Sequence, residues 1–224
     1  MKKILITGGS GLIGARLTDL LLKNGYVVHH LGRGEQTGAT AKGVERFSWD
    51  IDAGKLDKNA LDGVEAIVHL AGAGIADMKW TAERKREIID SRVKGATLLF
   101  KALKSGQHDV KTFISASAVG YYGDCGDEVI TEEHHKGQGF LAHVCEAWEQ
   151  GAKAMAGLNL REVRFRIGIV LADKGGALPQ LTKTLPLGFA TWFAKKNLYY
   201  PWVHIDDVCG IMLYAIENNH VHGP

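Results

Sequence analysis

Apolar residues in this chain follow two rhythms. Short unbroken runs such as Ile4-Leu5-Ile6 and Ala66-Ile67-Val68 read as strands covered on both faces. Between them, apolar side chains return every three or four positions, the period of a helix with one buried face. Leu12, Ile13, Leu17, Leu20 and Leu21 form the first such stretch, and Asn24-Gly25 ends it. The pattern then predicts strands at 26–31, 47–49 and 66–70, a long helix at 81–104, and a strand at 112–115. A helix at 140–156, a strand at 160–170 and a closing helix at 206–217, capped by Asp206 or Asp207, complete it. Alternating strands and helices predict a doubly wound parallel sheet of the α/β class, in a single domain covering 1–224. The stretches 120–138 and 172–203 have no clear period. Because open α/β sheets bind substrates in loops at the carboxyl ends of their strands, 172–203 is expected to form a substrate-side loop region.

The junction between the first strand and first helix carries the most chemistry. Thr7-Gly8-Gly9-Ser10-Gly11-Leu12-Ile13-Gly14 places Gly8, Gly11 and Gly14 at three-residue intervals. In that context the three glycines allow a tight turn, close approach to a pyrophosphate, and packing of helix on sheet. Free amides at Leu12 and Ile13, at the positive end of the helix, would meet the phosphates. The chain is therefore expected to bind a dinucleotide through Gly8, Gly11, Leu12, Ile13 and Gly14.

Composition narrows the partners. The 27 basic and 25 acidic residues leave a net charge of +2 and are evenly mixed, which argues against nucleic-acid or membrane surfaces. Cys125, Cys145 and Cys209 are far apart, without a Cys-x-x-Cys pair, and suit reduced thiols in a cytoplasm. No apolar run approaches membrane-spanning length, and no signal-peptide stretch opens the chain. His134-His135 beside Glu132-Glu133 lacks zinc-like spacing, so no metal is expected.

Four segments together resemble the extended short-chain dehydrogenase/reductases: the glycine turn, His69-Leu70-Ala71-Gly72, the run from Ser115 to Gly123, and His204-Ile205-Asp206-Asp207. Ile75-Ala76-Asp77 with Trp80-Thr81, Asp90-Ser91-Arg92-Val93, Tyr121-Tyr122-Gly123-Asp124 and Gly175-Gly176-Ala177-Leu178 are similar to its atypical branch of epimerase family proteins. The resemblance implies a Rossmann-type fold that binds NADP(H), without implying a substrate. Relatives continue past the equivalent of Pro224 with a last strand and a small substrate lobe, so that lobe is expected to be largely missing here. The family's two-helix contact implies a homodimer by analogy.

The second strand ends in Leu31-Gly32-Arg33-Gly34. An NAD site places an acid there, whereas a 2′-phosphate calls for a cation such as the Arg33 fork. NADP(H) is thus expected over NAD, with a solvated surface arginine as the alternative. By position in the resemblance, Asp50 and Ile51 would touch the adenine, and Ala71 and Gly72 would leave room for ribose and pyrophosphate; Asp50 also suits a turn.

Catalysis is less legible. The family uses Tyr-x-x-x-Lys, two side chains on one helix face, for proton transfer. No tyrosine here has a lysine four residues on, and Leu141 and Cys145 stand near the expected positions. Ser117, with Tyr121 and Tyr122 in the following loop, remains as the proton-transfer set; a hydrogen-bonded turn with two half-buried aromatics is the alternative. His143 is a weaker acid/base candidate, and Cys145 a packed thiol. The basic residues of the long helix, Arg84, Lys85, Arg86, Arg92 and Lys94, are expected on a solvated face. Two functions follow: an NADP(H)-dependent oxidoreductase or nucleotide-sugar epimerase-like enzyme acting on an unknown small molecule, or a catalytically silent NADP(H)-binding sensor.

Overall fold

The computed structural model describes residues 1–34, 38–41, 43–189 and 199–224. In chain order the strands and helices are β1 Lys3–Thr7, α1 Leu12–Lys23, β2 Val27–Gly32, β3 Gly38–Ala41, β4 Val44–Asp50, β5 Lys55–Leu56 and β6 Val64–His69. There follow α2 Ala82–Ser105, β7 Thr112–Ala118, α3 Phe140–Lys153, β8 Arg161–Ile167, β9 Ile169–Ala172 and β10 Gly175–Gly176. Short α4 Ala177–Thr182, β11 Trp202–His204 and α5 Ile205–Glu217 end the chain.

The main sheet runs β3-β4-β2-β1-β6-β7-β8, with β5 paired to β4. All its pairings from β4 to β8 are parallel, and β3 joins β4 antiparallel as an edge hairpin. Without that hairpin, the order of parallel strands along the chain is third, second, first, fourth, fifth, sixth, the doubly wound Rossmann arrangement. The direction of winding reverses between β1 and β6, where such sheets open a crevice.

Alternation along β1 divides the core. Ile4 and Ile6 pack into the cluster that contains Leu17 and Leu21 of α1 and Val208 and Met212 of α5. Leu5 points the other way, toward Leu99 of α2, Phe113 of β7 and Ala152 of α3. Both faces of the sheet are thus covered by helices, as the unbroken apolar strands required.

Several boundaries differ from the sequence expectation. The apolar run 160–170 is two strands: it breaks at Gly168, where a side chain would place its Cβ 2.5 Å from the Pro201 carbonyl oxygen, and β9 leaves for a small sheet ordered β10-β9-β11. His204, not Asp206 or Asp207, caps α5, because its ring accepts the Asp206 amide. The strand expected at 47–49 extends over the whole of β4, since β2 and the β3 hairpin pair along it. In α2, Arg84 and Arg92 are buried rather than solvated. The region 172–203 carries β10, α4 and part of β11; residues 190–198 of it lie outside the described residues, as does Glu35 beside Arg33. Among the described residues no helix is long and apolar enough to cross a membrane.

Where β1 and β6 end side by side, the Thr7 hydroxyl accepts the amides of Leu70 at 3.2 Å and Ala71 at 3.1 Å. Its own proton is then free for His69 Nδ1, 2.7 Å away, which assigns the ring proton to Nε2. Burial pushes His69 down to about 4. Protonation would break this junction, so its contribution to stability is complete above the unfolded-state value near pH 6.5 and declines as the pH falls toward about 4. In an NMR titration the His69 ring is expected to stay neutral down to about pH 4; a midpoint near the unperturbed value of about 6.5 would contradict the assignment.

Candidate cofactor site

The glycine turn begins at the switch point that Thr7 holds. Gly8 adopts φ +73°, a conformation costly for other residues, and lies so near β6 that a Cβ would sit 3.0 Å from the Ala71 nitrogen. A Cβ on Gly14 would come 2.3 Å from the Gly8 carbonyl oxygen, so only glycine lets α1 seat against the turn. Gly11 is the N-cap of α1 and contributes no side-chain cap. The amides of Leu12 and Ile13 in that first turn therefore remain for an outside acceptor, the chemistry an anion needs.

In front of the turn is a cleft of about 1410 Å³. Gly8, Ser10 and Gly11 form its floor; Gly32, Arg33 and Gly34 close β2; Trp49, Asp50 and Ile51 close β4; and Leu70 to Gly74 follow β6. The outer wall is one face of α2, with Glu83, Glu87, Asp90 and Lys94 at helical spacing. The volume exceeds the usual 300–1,000 Å³ of small-molecule and cofactor pockets, which leaves room for a dinucleotide. Gly8, Gly11, Arg33, Asp50, Ile51, Ala71 and Gly72 thus come together on one wall. Leu12, Ile13 and Gly14 sit behind it in α1 and can offer only backbone.

Arg33 is exposed and makes no hydrogen bond or ion pair among the described residues. Asp50 has a local task, since its Oδ1 accepts the amides of Asp52 and Ala53 at 3.0 and 2.9 Å and shapes the turn. Lys94 reaches across from α2 to Asp52 at 3.1 Å.

The segment after β6 is clamped from below by residues that sequence reasoning placed on a wet surface. Ala73 donates its amide to Ser91 Oγ, and Arg92 Nη1 donates to the carbonyls of Ala73 and Ile88 at 3.0 and 2.9 Å. Arg84 donates to the Gly74 carbonyl and to Glu87. The signal was available: Arg84 and Arg92 each lie four positions from the inward Ile88, on the same buried stripe.

Ser117, Tyr121 and Tyr122 come together around Glu149, and none of them lines the cleft. The buried Ser117 hydroxyl donates to Glu149 Oε1 at 2.9 Å. Arg166 donates to both carboxylate oxygens, Arg164 adds a contact at 2.9 Å, and Arg166 Nη1 reaches the Tyr122 hydroxyl at 2.8 Å. The Arg166 guanidinium also stacks 3.7 Å from the Tyr121 ring centre. Burial alone would raise Glu149, but the hydrogen bonds from Arg166 and Ser117 and the charges of Arg166 and Arg164 hold it below the usual carboxylate range.

Leu141 and Cys145 pack beneath Gly120. Burial pushes the Cys145 thiol up, against nucleophilic use. His143 stays on the exposed face of α3, 3.9 Å from Glu146.

The model of the NAD dependent epimerase/dehydratase family matches residues 4–143, from β1 through the start of α3. The chain belongs to this family. It is 32% identical over 221 residues to an epimerase family protein of Mycobacterium bovis, covering 99% of this chain and 71% of that one. The crystal structure of human epimerase family protein SDR39U1 with NADPH superposes with a TM-score of 0.85 at 30% identity, over 99% of this chain and 72% of that one. The nucleoside-diphosphate sugar epimerase of Corynebacterium glutamicum gives 0.83 at 34% identity; this chain covers 45% of its length.

Removing the carboxylate at the centre of the Ser117–Tyr122 network takes from Arg166 its paired carboxylate and leaves Arg164 with Glu162 alone. Glu149→Gln is expected to destabilise the protein by about 3–5 kcal/mol in urea unfolding at neutral pH, and a loss below about 1 kcal/mol would contradict that role.

Proposed function

We propose that the chain is an NADP(H)-binding oxidoreductase or nucleotide-sugar epimerase-like enzyme, whose cleft at the β1/β6 switch point holds the dinucleotide. The observation that carries this reading is the N-terminus of α1 behind Gly8 and Gly11, which has no side-chain cap and faces a cleft that ends at the exposed Arg33. The Leu12 and Ile13 amides and the helix dipole would bind the pyrophosphate. Arg33 would take the 2′-phosphate, and the NADPH bound by human SDR39U1 supports that preference. Asp50 and Ile51 would flank the adenine, and Ala71 and Gly72 would leave space for the inner ribose. NADPH, when bound, supplies a hydride.

For proton transfer, this reading relies on Ser117 and the loop tyrosines. Tyr122 accepts from the Arg166 cation, which leaves its own proton to donate. The substrate is a small carbonyl, alcohol or nucleotide sugar. A second reading, a catalytically silent NADP(H) sensor, is favoured by the Ser117 hydroxyl, which is already committed to Glu149.

Binding is measured by the change in NADPH fluorescence, followed by oxidation of the bound NADPH against a carbonyl and nucleotide-sugar panel. Turnover that falls at least about 100-fold in Ser117→Ala and Tyr122→Phe supports the enzyme, on the scale of general acid catalysis; NADPH binding with no turnover on any substrate supports the sensor. Arg33→Ala is expected to weaken NADPH by roughly 10–100-fold, the loss of one or two charge-assisted hydrogen bonds, while leaving NADH within about twofold. Equal effects on both cofactors would remove Arg33 from the 2′-phosphate.

A further inference from the structure

Arg92 is a buried cation with no carboxylate paired to it among the described residues. It is 6% exposed, and its hydrogen-bond acceptors among the described residues are the carbonyls of Ala73 and Ile88. Its Nε is sealed from solvent without a partner. The ring of Trp148 covers it at 4.7 Å. Arg84, the other arginine of the same stripe, differs in having Glu87 at 2.7 Å and Asp77 at 3.5 Å. A buried charge without a counter-ion costs several kcal/mol, and two carbonyl dipoles offset only part of that.

The position of this cation is as informative as its isolation. Gly72 lies directly over it, such that a Cβ there would stand 3.0 Å from Arg92 Cζ and 3.2 Å from Nη1. Gly8 abuts Ala71 from the other side. A chain of contacts therefore runs from the glycine turn through Ala71 and Gly72, which line the cleft, to the guanidinium, and Gly72 has no side chain to stand between the two. In the sheet order, Arg33 at the end of β2 and Arg92 below the end of β6 stand on opposite sides of β1. A dinucleotide whose pyrophosphate sits over Gly8, with its adenosine half toward β2 and β4, extends its other half over Gly72.

We propose that Arg92 is the counter-cation for the nicotinamide-side phosphate of the bound dinucleotide, acting through the side-chain-free gap at Gly72, and so a positioning residue for that half of the cofactor. This rests on the cofactor reading above. The ligand completes the charge balance that the protein leaves open, and Arg92 holds the Ala73 carbonyl so that the gap keeps its shape.

The test compares two ligands on wild type, R92M and R92K: NADPH, and adenosine 2′,5′-bisphosphate, which carries the Arg33-facing phosphate but no nicotinamide-side phosphate. Thermal unfolding and circular dichroism establish that each variant is folded. R92M is expected to lose at least about tenfold in affinity for NADPH, the scale of one charge-assisted contact, while its affinity for the bisphosphate stays within about twofold. R92K keeps the charge without the planar fork and is expected to fall between, again for NADPH only. If R92M does not fold, the selectivity of R92K alone decides. Equal losses for both ligands would show a structural role, and no loss for NADPH no role; either overturns the proposal. Wild type binding both ligands with no selective effect overturns the Arg92 inference alone, whereas wild type binding neither overturns the cofactor reading and this one with it.

Discussion

The close approach of β1 and β6 at their carboxyl ends is the constraint on which the rest of the site depends. Thr7 satisfies the Leu70 and Ala71 amides with one hydroxyl and holds His69 with its proton, so the two strands end in register before their chains diverge. Only then can Gly8 turn with its backbone against Ala71 and deliver the N-terminus of α1 to the cleft. Moving the end of β6 by one residue would put an alanine side chain where Gly72 must be. The cleft is thus a consequence of sheet register before it is a set of ligand-facing side chains.

Charge is arranged around that junction in two different ways. On the outer side Arg33 is exposed and without a partner among the described residues. On the β7 side, Glu149 gathers Arg164, Arg166, Ser117 and, through Arg166, Tyr122 into one hydrogen-bonded network. Such a network is rigid because each member loses a partner if another moves. Within this family fold, the two regions are therefore separate constructions: one is a backbone cradle open to anions, the other a set of charges paired with one another around Glu149.

Much of this was legible in the sequence wherever one local rule decided the outcome. Ile4 to Ile6 announced a strand covered on both sides, and the spacing of Gly8, Gly11 and Gly14 announced the turn, because each depends on neighbours a few positions away. Long-range contacts set the remainder. Gly168 lies inside an apolar run that reads as one strand, and only the approach of Pro201 splits it. His204 displaced the aspartates as the α5 cap because its ring accepts the Asp206 amide. Arg84 and Arg92 read as surface cations because side-chain type outweighed their place on the Ile88 stripe. Nothing near Ser117 in sequence foretold that Glu149 would take its hydroxyl.

The central claim, that the first turn of α1 is an anion cradle opened by the β1/β6 junction, is tested most directly by following backbone amides in an NMR titration with NADPH. The account predicts that the Leu12 and Ile13 amides shift downfield, with Ala71 and Gly72 moving in parallel, while amides on the β8 edge stay in place. Saturable binding that leaves the Leu12 and Ile13 amides unmoved would contradict it.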